Sequence, residues 1–151
     1  MPAEAHGNYA VSPITAGNTG YFNGYMPYDL GNLLEIAIVF IADADDATFD
    51  YSITAAFGTD TENYDQHTAG PLADQMVLVN DVVYEISVIS LFGNISRLDA
   101  FGIALASGGG NQKIYLLGTR VKYLPNKPVQ SGTVLVSEFF VNASVAQEVG
   151  P

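Results

Sequence analysis

Residues 48–54, Thr48-Phe49-Asp50-Tyr51-Ser52-Ile53-Thr54, alternate large apolar and polar side chains without a break. A period of two puts Phe49, Tyr51 and Ile53 on one face of an extended chain and Asp50, Ser52 and Thr54 on the other. The reading is a half-buried strand with its aromatic face turned inward. Val83-Tyr84-Glu85-Ile86-Ser87-Val88-Ile89-Ser90-Leu91 repeats the period less cleanly. There Val83, Glu85, Ser87, Ile89 and Leu91 fall on one face, and Tyr84, Ile86, Val88 and Ser90 on the other.

Outward from these two runs, β-branched and aromatic segments recur between polar turns, as in sandwiches and barrels. The expected strands are Leu34–Ile41, Thr48–Phe57, Met76–Val79, Val82–Leu91, Phe101–Ala106, Lys113–Leu124 and Gly132–Val141, with a further short one inside Tyr9–Thr15. Asp43-Ala44-Asp45-Asp46, Asn80-Asp81, Gly108-Gly109-Gly110-Asn111 and Pro125-Asn126-Lys127-Pro128 interrupt the apolar runs with residues that tolerate turns. Residues 58–75 read as the longest irregular stretch of the body, either a contact loop or a crossover between sheets. Ala143–Val149 is the one helical candidate, and it is too short for a stable isolated helix. Residues 1–32, rich in Gly, Asn, Pro and Tyr, show no sustained periodicity and read as an extended N-terminal arm. The fold class is therefore all-β, an antiparallel sandwich at residues 33–151 with an arm at 1–32.

Composition narrows the function. The chain has 151 residues, a formal charge of −11, and only five cations. Nucleic-acid binding needs Lys and Arg to displace counterions from phosphates, so that partner is not expected. The cations Arg97, Lys113, Arg120, Lys122 and Lys127 all follow thirteen acids in residues 1–96, which polarises the charge along the sequence. With no cysteine there is no disulfide framework and no thiolate chemistry. The N-terminus lacks the basic and apolar segments of a signal peptide. Leu33 to Ala44 is too short, and too interrupted by Glu35 and Asp43, to span a membrane.

Catalysis finds little to stand on. The two histidines, His6 and His67, are far apart in sequence, no G-x-S-x-G elbow occurs, and neither a zinc motif nor an EF-hand is present. Asp43, Asp45, Asp46 and Asp50 crowd into one short stretch, with Asp60, Glu62 and Asp65 further on, but the pattern fits a polar hairpin better than a calcium loop. Gly108-Gly109-Gly110 lacks the Lys-Ser/Thr ending of a P-loop. No enzyme, cofactor or metal is expected. Contact residues are the aromatics of the first segment, Tyr9, Tyr21, Phe22, Tyr25 and Tyr28, and the cations Arg97, Arg120 and Lys122.

Tyr28-Asp29-Leu30-Gly31 ahead of Leu34–Ile41, together with the run from Lys113 to Val141 that contains Ser131-Gly132-Thr133-Val134, resembles the jelly-roll capsid cement (decoration) proteins of short-tailed bacteriophages. The likeness spans residues 28–142 and rests on the order of short motifs. It departs before residue 28 and at 58–75. The resemblance implies a β-sandwich of jelly-roll type, made in the host cytoplasm and carried on the capsid exterior. There it would form a dimer or trimer and clamp subunits of the major capsid protein. Two other classes share the composition. One is a carbohydrate-binding sandwich using Tyr21, Tyr25, Tyr64 or Tyr123 as stacking platforms, and the other is a receptor-binding spike or fibre head.

Overall fold

The computed structural model describes residues 4–126 and 136–143. Ten strands run in chain order: β1 (Glu4–His6), β2 (Tyr9–Ile14), β3 (Thr19–Tyr25), β4 (Leu30–Ala42), β5 (Asp46–Gly58), β6 (His67–Leu78), β7 (Val83–Ser87), β8 (Ala100–Ser107), β9 (Ile114–Pro125) and β10 (Ser137–Asn142). A single 3-10 turn, Ile89–Leu91, follows β7. All strand pairings are antiparallel.

The strands divide into two sheets. The first has the order β2-β9-β4-β7, extended by β1 beside β2 and by β10 beside β9, and the second has the order β3-β8-β5-β6. From β2 to β9 every connection except β5–β6 passes from one sheet to the other. That interleaving defines a jelly roll, so the expected sandwich is the observed one. Between the sheets lies one large core, with Phe22, Phe40, Phe49, Ile36, Ile38, Ile53, Leu105 and Leu116 wholly buried.

The alternating strand that decided the fold behaves as read. Phe49 and Ile53 are buried, Tyr51 packs against the core, and Asp50 lies outside. In β7 it is Tyr84, Ile86 and then Val88 that face inward. The regular strand stops at Ser87, because the chain turns into the 3-10 segment that buries Leu91 and Phe92 under the core's end.

Two expectations are revised. Residues 9–25 are not an arm outside the sandwich: β2 pairs with β9 through Ser12 to Ile14, and β3 pairs with β8 along its whole length. The alternation of β3 was concealed by its glycines. Gly20, Phe22 and Gly24 face inward, and a Cβ on Gly24 would stand 2.8 Å from the Phe101 ring, while one on Gly20 would collide with Leu116. Two of three inward positions must therefore be bare, and the strand loses its hydrophobic signature. The irregular stretch after Phe57 is shorter than 58–75, since β6 begins at His67. Its first half reads as a loop because it is an edge strand, with only partial burial on one face. The start of the last predicted strand, the turn beyond Asn126, and the 144–149 tail lie outside the described residues.

β9 has a divided edge. Ile114–Leu116 pair with β2, and Gly118–Tyr123 pair with β10, so the two strands lie end to end against one partner. Ser12 Oγ donates to the Ala143 carbonyl at 3.4 Å where they meet. Before Ser12, β2 pairs instead with β1. Val11, Ile41 and Tyr115 form a second, small cluster there, separate from the main core. His6 from β1 stacks on Tyr115, at 4.6 Å between centroids, and its Nε2 lies 3.0 Å from Asp81 Oδ1.

Two measurements test this packing. Phe22→Ala should cost about 3–5 kcal/mol, as for a fully buried aromatic, whereas Tyr21→Ala, on the outward face, should stay within about 1 kcal/mol. Chemical denaturation of both variants decides it, and equal small losses would return β3 to the status of a loose arm. Thr119 faces the core opposite Ile38, fully buried, and its Oγ1 has no hydrogen-bond partner among the described residues. Thr119→Val removes an uncompensated hydroxyl at constant shape and should stabilise the protein by about 1 kcal/mol in the same assay.

Candidate functional site

The connections gather at two ends of the sandwich. At one end lie the links 26–29, 59–66 and 88–99, between β3 and β4, β5 and β6, and β7 and β8. Met26 N donates to the Asp99 carbonyl at 2.8 Å, and Leu98 N donates to the Met26 carbonyl at 3.1 Å, so the first and third links are held edge to edge. The turn 96–99 is closed locally by Ser96 N donating to Asp99 Oδ2 at 2.8 Å. Leu98 there has φ of +64°, a left-handed conformation that turns the leucine away from the core. Asp29 accepts a 2.8 Å hydrogen bond from the Tyr123 hydroxyl, and its carbonyl accepts one from Asn126 N at 2.6 Å, which pins the base of the 26–29 link.

Beside the polar residues of the 59–66 and 88–99 links, this end displays large apolar side chains. Tyr25 is 71% exposed, Tyr28 70% and Leu98 59%, and Arg97 stands beside Leu98, exposed and without an ion pair among the described residues. Three of the expected contact residues, Tyr25, Tyr28 and Arg97, thus come to one end. Leu98 was missed because an isolated leucine between Arg97 and Asp99 carries no periodic signal, and only the backbone conformation reveals its direction.

The remaining expected residues go elsewhere. Phe22 is core and cannot touch a partner. Tyr9 sits exposed in the β1–β2 hairpin, and Tyr21 lies on the outward face of the second sheet. Tyr123 is buried, packing edge-on against Phe139, so it offers no stacking platform. Burial first, and then the hydrogen bond to Asp29, push its hydroxyl above the ordinary tyrosine pKa.

Arg120 and Lys122 occupy the outward face of the first sheet, opposite Ala37 and Glu35 in β4. Arg120 is consumed there. Its guanidinium meets Glu35 at 2.5 Å, Glu85 at 2.6 and 3.3 Å, and Glu138 at 3.4 Å, joining β4, β7, β9 and β10 through one side chain. The hydrogen bond from Arg120 holds the Glu85 carboxyl below the usual glutamate range, and the carboxylates raise the arginine in turn. A planar five-donor fork suits that role and leaves little to offer a partner.

His67 stacks flat on Phe57, at 5.1 Å and 9°, and its Nε2 lies 3.2 Å from Glu62 Oε2. Glu62 also accepts from Thr59 N at 2.8 Å, the main reason its carboxyl is held low, with His67 second. These residues line a polar cleft of about 330 Å3 with Asn94, Ser96 and Arg97. The acidic turn at the opposite end is internally bonded. Asp46 accepts from Thr48 N and Gln112 N, Asp45 from Asn80 N, and Asp43 lies 3.6 Å from Lys113 Nζ.

No family model matches the chain, and no curated protein matches it. Among solved structures, the crystal structure of Thermotoga maritima 1070 is similar at a TM-score of 0.38, with 12% identity over 85% of this chain and 95% of that one.

The Arg120 network predicts an acid-dependent variant. Because Glu85 has a lowered folded pKa, its contribution is complete above the ordinary glutamate value of about 4.3 and is lost as the pH falls through the lowered one. Arg120→Met should therefore cost about 1 kcal/mol at pH 7, the partly exposed pairs being screened. The penalty should shrink as the pH falls through the lowered Glu85 value. Thermal unfolding of both proteins at pH 7 and pH 3 reads this, and an unchanged difference would remove the ion pairs as its source.

Proposed function

We propose that this chain is a non-catalytic structural protein of a virion. In this reading it is a capsid decoration protein that docks by one end on the outer surface of the major capsid protein, as a dimer or trimer. The observation that carries the reading is the end surface of Tyr25, Tyr28 and Leu98 with Arg97, on links tied to one another by backbone hydrogen bonds. Exposed aromatics on a rigid support are what protein interfaces use as anchors, because their apolar area is large and little entropy is lost in fixing them.

The charge pattern supports the same mode. A chain of −11 gains little from long-range attraction to an acidic partner. Its strongest cation, Arg120, is neutralised within the first sheet. Docking would depend on buried apolar area and shape, which is the requirement for holding neighbouring subunits together. The jelly roll is an architecture shared by capsid and lectin domains, and the motif resemblance of residues 28–142 points to the former.

The test is to add the purified protein to capsids of the encoding virus assembled without it, and to follow co-sedimentation and cryo-electron microscopy. Regular density across subunit boundaries is expected, with the β3–β4 end seated on the capsid. Tyr28→Ala combined with Leu98→Asp should weaken binding about tenfold or more, and Tyr9→Ala should leave it unchanged. Bare capsids would overturn the decoration reading, and undiminished binding of the double variant would overturn the assignment of the surface.

A further inference from the structure

A second surface, distinct from the docking end, lies on the outward face of the second sheet. Two adjacent register rows cross that face: Tyr21, Ala104 and Thr54, then Asn23, Gly102, Ala56 and Thr68. The central strands β8 and β5 contribute only small side chains to these rows. The sides stand higher, with Tyr21 on edge strand β3 and Tyr64, 87% exposed, on the 59–66 link. The result is a trough of about 520 Å3.

The far wall is shaped by a bulge. The register steps from Ile53 opposite Leu72 to Ala55 opposite Ala69, leaving Gly70 and Pro71 against Thr54 alone. Gly70 has φ of +110°, and a Cβ there would come 2.7 Å from the Ile53 carbonyl, so a side chain is excluded where β6 bends. Towards the docking end the trough runs on into a second hollow of about 400 Å3, which shares Asn23, Ala56, Tyr64 and Gly102 and adds Thr59, Glu62 and Asn63.

We infer that this trough binds a neutral oligosaccharide. The tyrosines offer ring faces on which the apolar face of a pyranose can stack. Between them Asn23, Thr54 and Thr68 present amide and hydroxyl groups, which both donate and accept, as sugar hydroxyls require. Charge selects against anions: among the described residues no Lys or Arg lines either hollow, on a chain of −11. The one carboxylate among the described lining residues, Glu62, is occupied by Thr59 and His67. A peptide strand is a poor occupant, because β5 and β8 are already paired on both edges and offer no free backbone to extend. The volume falls within the range of small-ligand sites.

The full chain is screened on an array of neutral and acidic glycans, then titrated with maltohexaose, cellohexaose and mannohexaose by calorimetry and by tyrosine fluorescence, which no tryptophan obscures. Saturable binding of a neutral glycan is expected. Tyr21→Ala and Tyr64→Ala should each weaken it about tenfold, and Ala104→Leu, which fills the floor, should abolish it. Tyr25→Ala, outside the trough, should leave affinity unchanged, and thermal unfolding checks that each variant is folded. Absence of binding to every neutral glycan, preference for acidic ones, or affinity undiminished in all three trough variants would overturn the assignment.

Discussion

The first sheet depends on one strand serving two partners along a single edge. β9 pairs continuously with β4 on one side, while on the other β2 covers Ile114–Leu116 and β10 covers Gly118–Tyr123. The handover falls at Leu117 and Gly118, where the register against β4 also shifts between Val39 and Phe40. Gly118 is obligatory there, since a Cβ would strike the Val141 carbonyl and the Phe140 ring. A β-bulge that puts Leu117 and Gly118 both on the outward face allows one strand to be filled from two ends of the chain. It also releases the start of β2 to fold with β1 over Tyr115 and Ile41, which closes apolar surface that the sheet would otherwise show to water.

Once β9 is fixed, the distribution of charge follows. Arg120 projects outward between β4 and β10 and collects acids from three neighbouring strands. A chain with sixteen acids and five cations must avoid placing glutamates opposite each other without an intervening positive charge. Glu35 and Glu138 each face Lys122 in register, and Arg120 adds ion pairs to both and draws in Glu85 from β7. The two cations thus make the sheet's acidic face tolerable, and the apolar surface left available to partners moves to the end and to the second sheet.

How much of this was legible from the sequence depends on which side of a strand carried the information. Where both faces declare themselves, as at Phe49-Asp50-Tyr51-Ser52-Ile53, period, direction and burial were all readable. β3 was not, because close packing against Leu116 and Phe101 requires glycine where a hydrophobe would have advertised the strand. The start of β6 was hidden by edge position and by Gly70-Pro71 at the bulge. The contact residues were chosen as residue types, aromatic and cationic, which located Tyr25, Tyr28 and Arg97 but also admitted Phe22 and Arg120. Type tells what a side chain can do, and only burial and pairing tell whether it is free to do it.

The two surfaces put forward are built on supports of different stiffness. The trough floor is formed by interior strands, each paired on both edges and backed by the fully buried Ile53, Leu105 and Phe22, so its shape is set by the core. Tyr21 stands on edge strand β3, which is paired along its whole length with β8, whereas Tyr64 stands on a link secured chiefly through Glu62, to Thr59 and to His67. The proposed docking end is made of links except for Tyr25, the last residue of β3, and is made definite by hydrogen bonds from Met26 to Asp99, Leu98 to Met26 and Asn126 to Asp29. A ligand in the trough would therefore meet one fixed wall and one wall whose position rests on a histidine–glutamate contact, which couples the second sheet to the end where that contact lies. His67 is also stacked on Phe57 of β5, so the partner that Glu62 holds is itself anchored to the core.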